Sequence, residues 1–332
     1  MRKFLPAVIG FCLSGLLLYF AFRNVDLKVV TETFAKVKYV HLFILAGAVC
    51  LDMCIRGFRW KILLSKCCKT STWQMTKLEA IGLALNNILP LRLGEFSRAW
   101  LGAHILKVPF ATVLSTVLVE RILDLITLAI LLLVSTQFNG ISWIKEYNLM
   151  LWVILAAVII MLVLFTFMED ALNKYKMCSD IAGKFPRIKK ILCQISVGAQ
   201  SFKNKKLMLS IISSGFCLWL VDGFIYWFAT RSMNIEPLIS YSKSIVLLCA
   251  AAVAVSLPAV PGYFGTFEAA IQHVLVNWQV DKSVALAYAG YVHLIFYFVM
   301  TIAGIIFLYR MGNTLPEMWK RFKNLKFEQS KN

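Results

Sequence analysis

The sequence predicts an all-α, polytopic integral membrane protein built as an inverted repeat of transmembrane helices with two re-entrant broken-helix pairs. Three observations carry that expectation. Hydrophobic residues make up 60% of the 332 and the mean hydropathy is +0.73, whereas soluble domains are apolar over roughly half their residues. Runs at 4–22, 110–135, 149–168, 207–230 and 284–309 reach or approach the ~20 residues that a helix needs to cross the hydrocarbon core, and none alternates like a barrel strand. Two further apolar stretches are interrupted in the same way, one by Pro90 and Gly94 and the other by Pro258, Pro261, Gly262 and Gly265. In transporters, such a pair of interrupted segments, one in each half, points to a midplane site.

Charge sets the topology. The net charge is +18, and the excess follows the positive-inside rule rather than a nucleic-acid surface. With the N-terminus inside, the segments 1–3, 56–77, 92–109, 169–206 and 310–332 hold 26 of the 35 Lys and Arg residues, while the outer loops hold 8. Both termini are therefore expected in the cytoplasm, with the chain in the inner (plasma) membrane.

The elements follow in order. Residues 4–22 cross outward; although Met1-Arg2-Lys3 opens like a secretion signal, there is no small-residue cleavage site and the apolar run is too long. The stretch 25–39 lies outside, and 40–60 returns inward to a basic, aromatic anchor at 56–61. The run 78–91 is too short to span comfortably, and with 94–106 it forms a re-entrant pair from the cytosol. Segments 110–135 and 148–168 cross out and back, followed by a basic connector, 169–206, suited to anionic lipid or to plain solvation. Segment 207–230 crosses outward, 244–258 and 264–277 form a re-entrant pair from outside, and 283–309 returns to a basic tail at 313–332. The membrane domain is 1–312. Units 40–135 and 207–309 share the order helix, re-entrant pair, helix with opposite orientation. Spacing agrees: Asp52 to Glu95 is 43 residues and Asp222 to Glu268 is 46, while Glu95 to Glu120 and Glu268 to His293 are both 25.

Seven of the 17 acids fall in or near embedded segments: Asp52, Glu79, Glu95, Glu120, Asp124, Asp222 and Glu268. A charge at bilayer depth costs about 2.5–3.5 kcal/mol even on the lenient insertion scale, so each needs a cavity or a partner. Glu120, Arg121 and Asp124 are spaced for pairing on one helix. Two readings stand there, an ion pair locking the bundle and an arginine held by acids to receive a phosphate. The helix starts after Gly94 and Gly262/Gly265 are potential anion sites, but Glu95 and Glu268 already occupy those first turns as dipole partners. An anionic headgroup would then need Arg92, Arg98 and Arg121, with Asn87 nearby, and the acids would organise those arginines or couple to ions. Tyr263, Phe264, Tyr288, Tyr291 and Tyr297 read either as a lipid path or as packing. The nine cysteines fall outside the outer loops and read as reduced thiols. No zinc spacing, phosphate-binding glycine loop or soluble catalytic signature occurs, so neither a catalytic residue, a metal nor a cofactor is expected.

The patterns Asn87-x-x-Pro90-x-Arg92-x-Gly94-Glu95-x-x-Arg98, Glu120-Arg121-x-x-Asp124 and Pro261-Gly262-x-x-Gly265-x-x-Glu268 resemble the flippase-like transmembrane family typified by the membrane part of bacterial lysylphosphatidylglycerol synthase. The resemblance runs from about 1 to 312, except that Tyr263 and Phe264 stand where smaller residues are common. It implies a protein that moves polar lipids, either phospholipids or polyprenyl-phosphate-linked ones, between leaflets. The chain ends soon after its last helix, so the soluble aminoacyl-transfer domain is not expected and lysine transfer is not implied. The alternative is a membrane enzyme or accessory subunit that presents a lipid carrier to a lipid-modifying partner for glycosyl or aminoacyl transfer.

Overall fold

Side-chain caps set five of the helix starts. In the computed structural model, Ser71, Asn204, Ser240 and Asp281 each accept a hydrogen bond from a backbone N–H of the turn that follows, as does Asp26, which satisfies amides a helix otherwise leaves open. The structure describes residues 5–89, 93–139, 148–174, 196, 198–235, 239–257 and 259–312. Their helices are α1 Leu5–Phe22, α2 Leu27–Ala35, α3 Tyr39–Leu64, α4 Thr72–Ile88, α5 Leu93–Leu106, α6 Phe110–Asn139, α7 Asn148–Lys174, α8 Lys205–Ser232, α9 Tyr241–Ser256, α10 Thr266–Asn277 and α11 Lys282–Arg310. Short 3₁₀ turns occupy Gln200–Lys203 and Pro261–Tyr263, and no strand occurs among the described residues.

Length separates two kinds of helix. With 26, 28 and 29 residues, α3, α8 and α11 each exceed the ~30 Å hydrocarbon core at ~1.5 Å per residue, and all three are apolar enough to cross it. The pieces around the breaks are shorter, 17 and 14 residues in α4 and α5 and 16 and 12 in α9 and α10. Helix α5 folds back along α4: a Cβ on Gly82 would meet Arg98 Cδ at 2.9 Å, and Gly94 backs onto Gly82 and Asn86.

The principal helix contacts map onto themselves when α3 is exchanged with α8, α4 with α9, α5 with α10 and α6 with α11. The α3–α4 contact becomes α8–α9, α4–α5 becomes α9–α10, α5–α6 becomes α10–α11 and α4–α11 becomes α9–α6, while α3–α8 is its own image. Outside this scheme α1 packs on α10, α2 on α11 and α7 on α6. The largest apolar cluster joins α3, α8, α9, α10 and α11 around Leu218, Leu247, Ile271 and Tyr288. A second joins α3, α4, α5, α6 and α11 around Trp60, Leu78 and Val117.

Helix α4 is gripped closely on both sides. Gly57 of α3 lies against Thr76, and Gly304 of α11 lies against Ala80 and Ala84; small residues let backbones approach where lipid supplies no hydrophobic drive. Alanine at Gly304 would overlap the Ala80 carbonyl oxygen, a backbone atom that cannot rotate aside. Gly304→Ala is expected to lose about 1–3 kcal/mol. Gly47→Ala, with nothing within 4 Å of its Cβ, should instead hold or gain stability; detergent thermal melts of the two variants check both signs.

Two expectations meet a different arrangement. The basic end of the second crossing is not an interface anchor: α3 continues to Leu64, and Arg56 and Arg59 are 7% and 1% exposed. Their acidic partners on α6 and α8 draw them inward. With Arg56, Arg59 and Arg98 removed from the tally, the segments expected inside still carry 23 basic residues against 8 in those expected outside. In the connector, α7 runs to Lys174, and Lys203 reaches Asp170 at 2.8 Å. Residues 175–195 of the connector and the tail 313–332 lie outside the described residues.

Candidate functional site

Spacing on α3 and α6 builds a buried ionic seam. Asp52, Arg56 and Arg59 fall at i, i+4 and i+7 on α3, one face of a helix, and Glu120 and Asp124 fall at i and i+4 on α6. Arg56 donates from Nε to Asp52 at 2.8 Å and from Nη2 to Asp222 of α8 at 3.2 Å, so one guanidinium serves both acids. Arg59 donates to Asp124 at 2.8 Å and lies 3.7 Å from Glu120. The Trp219 indole N–H adds a bond to Asp124 at 3.1 Å, and its ring lies under Arg56.

Arg98 on α5 extends the seam. One amino group contacts Glu79 of α4, and the other donates to Glu120 at 2.7 Å. The guanidinium also stacks over Trp60, with 4.8 Å to the ring centroid, and Trp60 is itself anchored by a 2.8 Å bond to Thr116. Arg98 is 2% exposed, so in this conformation it has no free edge to offer a headgroup.

Arg121 differs from the other three arginines. Its side chain is 39% exposed, its partner Glu95 is 26% exposed, and its contacts are loose: 3.6 Å to Glu95 and 3.3 Å to Asp124. Its Nε, like that of Arg59, is buried and has no acceptor at hydrogen-bonding distance. The first break brings Glu95 here, because the Gly94 N–H is taken by the Asn86 side chain at 2.8 Å and α5 starts at that point. Asn87 turns the other way and donates to Thr301 of α11 at 2.9 Å and to the Tyr297 carbonyl. Pro90 and Arg92 lie outside the described residues.

The second break is more tightly closed. Gly262 and Gly265 take φ of +76° and +89°, the left-handed region open to glycine, and a Cβ on Gly262 would meet the Tyr297 and Phe264 rings. The Val260 N–H donates to Ser14 of α1 at 3.1 Å. Glu268 reaches back to the Gly265 N–H at 2.7 Å and holds His293 of α11 at 2.5 Å, so the first-turn acid acts as a cap. Pro258 lies outside the described residues. The turn Pro261–Tyr263 packs on α4, and Tyr297 touches both breaks, by its carbonyl to Asn87 and by its ring to Phe264.

Site residues on α3, α4, α5, α6 and α8 are thus brought together, while Glu268 and His293 form a separate unit on α10 and α11. Sequence reasoning missed Arg56, Arg59 and His293 as partners. The i, i+4 spacing of Asp52 and Arg56 was an available signal. Of the aromatic candidates, Tyr288 is packing, fully buried with its hydroxyl donating to the Tyr226 carbonyl. Among the described residues no group of three or more His, Cys, Asp or Glu is placed to hold a metal, and seven cysteines are free. Burial, with Cys68 alongside, pushes the Cys67 thiol up to about 11. Counted as ionised, the seam has six acids (Asp52, Glu79, Glu95, Glu120, Asp124 and Asp222) for four arginines, and Arg121 is where those fixed charges meet the accessible surface.

The family model described as the lysylphosphatidylglycerol synthase TM region matches residues 7–304. The UPF0104 membrane protein MJ1078 of Methanocaldococcus jannaschii is 26% identical over 227 residues, covering 68% of this chain and 93% of that protein. The UPF0104 membrane protein PH1989 of Pyrococcus horikoshii is 22% identical over an alignment of 334 residues, covering 92% of this chain and 96% of its own. No solved structure matches.

Proposed function

The chain belongs to the lysylphosphatidylglycerol synthase TM-region family, and from that premise we propose that it translocates a polar lipid with an anionic, phosphate-bearing headgroup between leaflets. The observation that carries this reading is Arg121: its side chain is 39% exposed and held only by loose contacts to Glu95 and Asp124, in a seam whose other three arginines are buried among acids. A headgroup phosphate would displace the loose contact to Glu95 and take Arg121 by charge-assisted hydrogen bonds, while the acyl or prenyl chains stay in the bilayer. Units 40–135 and 207–309 act as inverted halves with both termini cytoplasmic, α4–α5 and α9–α10 as re-entrant pairs, and rocking of the halves as the transport step. The self-mapping helix contacts support that arrangement.

Because Arg121 is held loosely, removing it should affect transport far more than folding. Arg121→Ala is expected to slow leaflet exchange of anionic phospholipid in proteoliposomes by about ten- to a hundredfold, the loss of one charge-assisted contact, with an unchanged melting temperature. Transport at the wild-type rate by this variant would remove Arg121 from the mechanism.

A further inference from the structure

We propose that Glu268 and His293 form a binding site for one proton that locks the second helix break onto α11. The His293 ring is held at both nitrogens: Nδ1 lies 2.5 Å from Glu268 Oε1 and Nε2 lies 2.7 Å from the Gly262 carbonyl oxygen. A carbonyl only accepts, so Nε2 must carry a hydrogen. Nδ1 then faces a carboxylate oxygen, and that short contact also needs a hydrogen between its two atoms. Either His293 is the doubly protonated cation beside a carboxylate, or a neutral ring accepts from a protonated Glu268. Both descriptions contain one proton more than neutral histidine plus carboxylate.

Losing that proton leaves a single ring hydrogen for two acceptors. The charge-assisted bond to Glu268 is the stronger of the two, so the ring hydrogen moves to Nδ1. Nε2 then turns a lone pair toward the Gly262 carbonyl, and the tie between the break and α11 becomes a repulsion. The site is built for the loaded state. The Phe267 ring stacks on the imidazole at 4.6 Å and the Phe264 ring lies tilted against it at 4.7 Å, a setting that favours a cation, and the Gly265 N–H fixes the second carboxylate oxygen at 2.7 Å.

Among the described residues, the surrounding elements engage their charges elsewhere. On α3, α4 and α8, Asp52, Arg56, Glu79 and Asp222 belong to the ionic seam, while Lys77 and Arg231 lie over Trp73 and Trp227. On α9, Lys243 lies over Trp278, Tyr241 donates to the Leu220 carbonyl and Cys249 to that of Leu128. Cys12 and Tyr19 of α1, and Lys28 and Glu32 of α2, are exposed. His273 of α10 pairs with Asn277, and on α11 Tyr288 binds the Tyr226 carbonyl and Lys282 those of Phe20 and Arg23. Tyr297 of α11 stands with its ring edge-on to His293.

The test needs no lipid substrate, so it can fail or succeed independently of the translocase reading. Amide hydrogen exchange of the full chain in detergent, corrected for intrinsic pH dependence, is followed by mass spectrometry for peptides covering 257–268. In the wild type these amides should exchange roughly tenfold or more faster at about pH 9 than at about pH 5. Glu268→Gln supplies a permanent hydrogen to Nδ1 and still accepts from Gly265, so it should stay protected across that range. His293→Ala should exchange fast throughout, while α3 and α8 peptides report an intact fold. A wild type without pH dependence, or Glu268→Gln following the wild-type curve, would overturn the proposal.

Discussion

Replacing Arg98 with alanine is expected to destabilise the protein by about 3–5 kcal/mol, the scale for breaking a buried ion pair by removing one partner. The variant removes the cation partner of Glu79 and leaves Glu120 only the 3.7 Å approach of Arg59, with both carboxylates nearly solvent-free. It also empties the space above Trp60. Coupling separates charge from packing. Arg98→Met combined with Glu79→Gln and Glu120→Gln should recover most of the loss, because filling the volume and removing the charges abolishes the desolvation penalty. Denaturation in detergent of the single and combined variants checks this. If Arg98→Ala melted with the wild type, the pairing of α4, α5 and α6 through this residue would be wrong.

How far the site could be read from sequence depended on the range of each pairing. The embedded acids and both breaks were legible because they violate membrane composition locally. Arg121 with Asp124 was legible because three residues apart on a helix means neighbours. Arg56 and Arg59 were not, since a basic cluster beside Trp60 at the end of a crossing has the composition of an interface anchor. Only the extension of α3 to Leu64 and acids 65 and 166 residues away turn the two inward. Arg98 was legible as a candidate but its pairing was not, because Glu79 meets it only once α5 folds back along α4. His293 stands 25 residues from Glu268, as Glu120 does from Glu95, but in one half that position holds a ring doubly fastened at the break and in the other an acid bound to arginines. The spacing survives while the chemistry diverges, so among the described residues the loosely held cation sits at the first break.

The Asp52–Arg56–Asp222 cluster should respond with opposite severity to its two kinds of neutralisation. Asp52 and Asp222 occupy α3 and α8, the helices exchanged by the packing symmetry, and share one guanidinium whose three contacts run from 2.8 to 3.2 Å. Arg56→Ala leaves two carboxylates facing each other across the bundle centre without a cation, and should cost about 3–5 kcal/mol. Asp222→Asn keeps the shape and an acceptor for Arg56 Nη2 while removing one of two like charges. The Asp222 Oδ1 position has no hydrogen-bond partner to lose, so the change should be within about 1 kcal/mol of wild type. Chemical denaturation of both variants decides it: a collapse of Asp222→Asn comparable to that of Arg56→Ala would mean that the second carboxylate, rather than the shared arginine, holds α3 against α8.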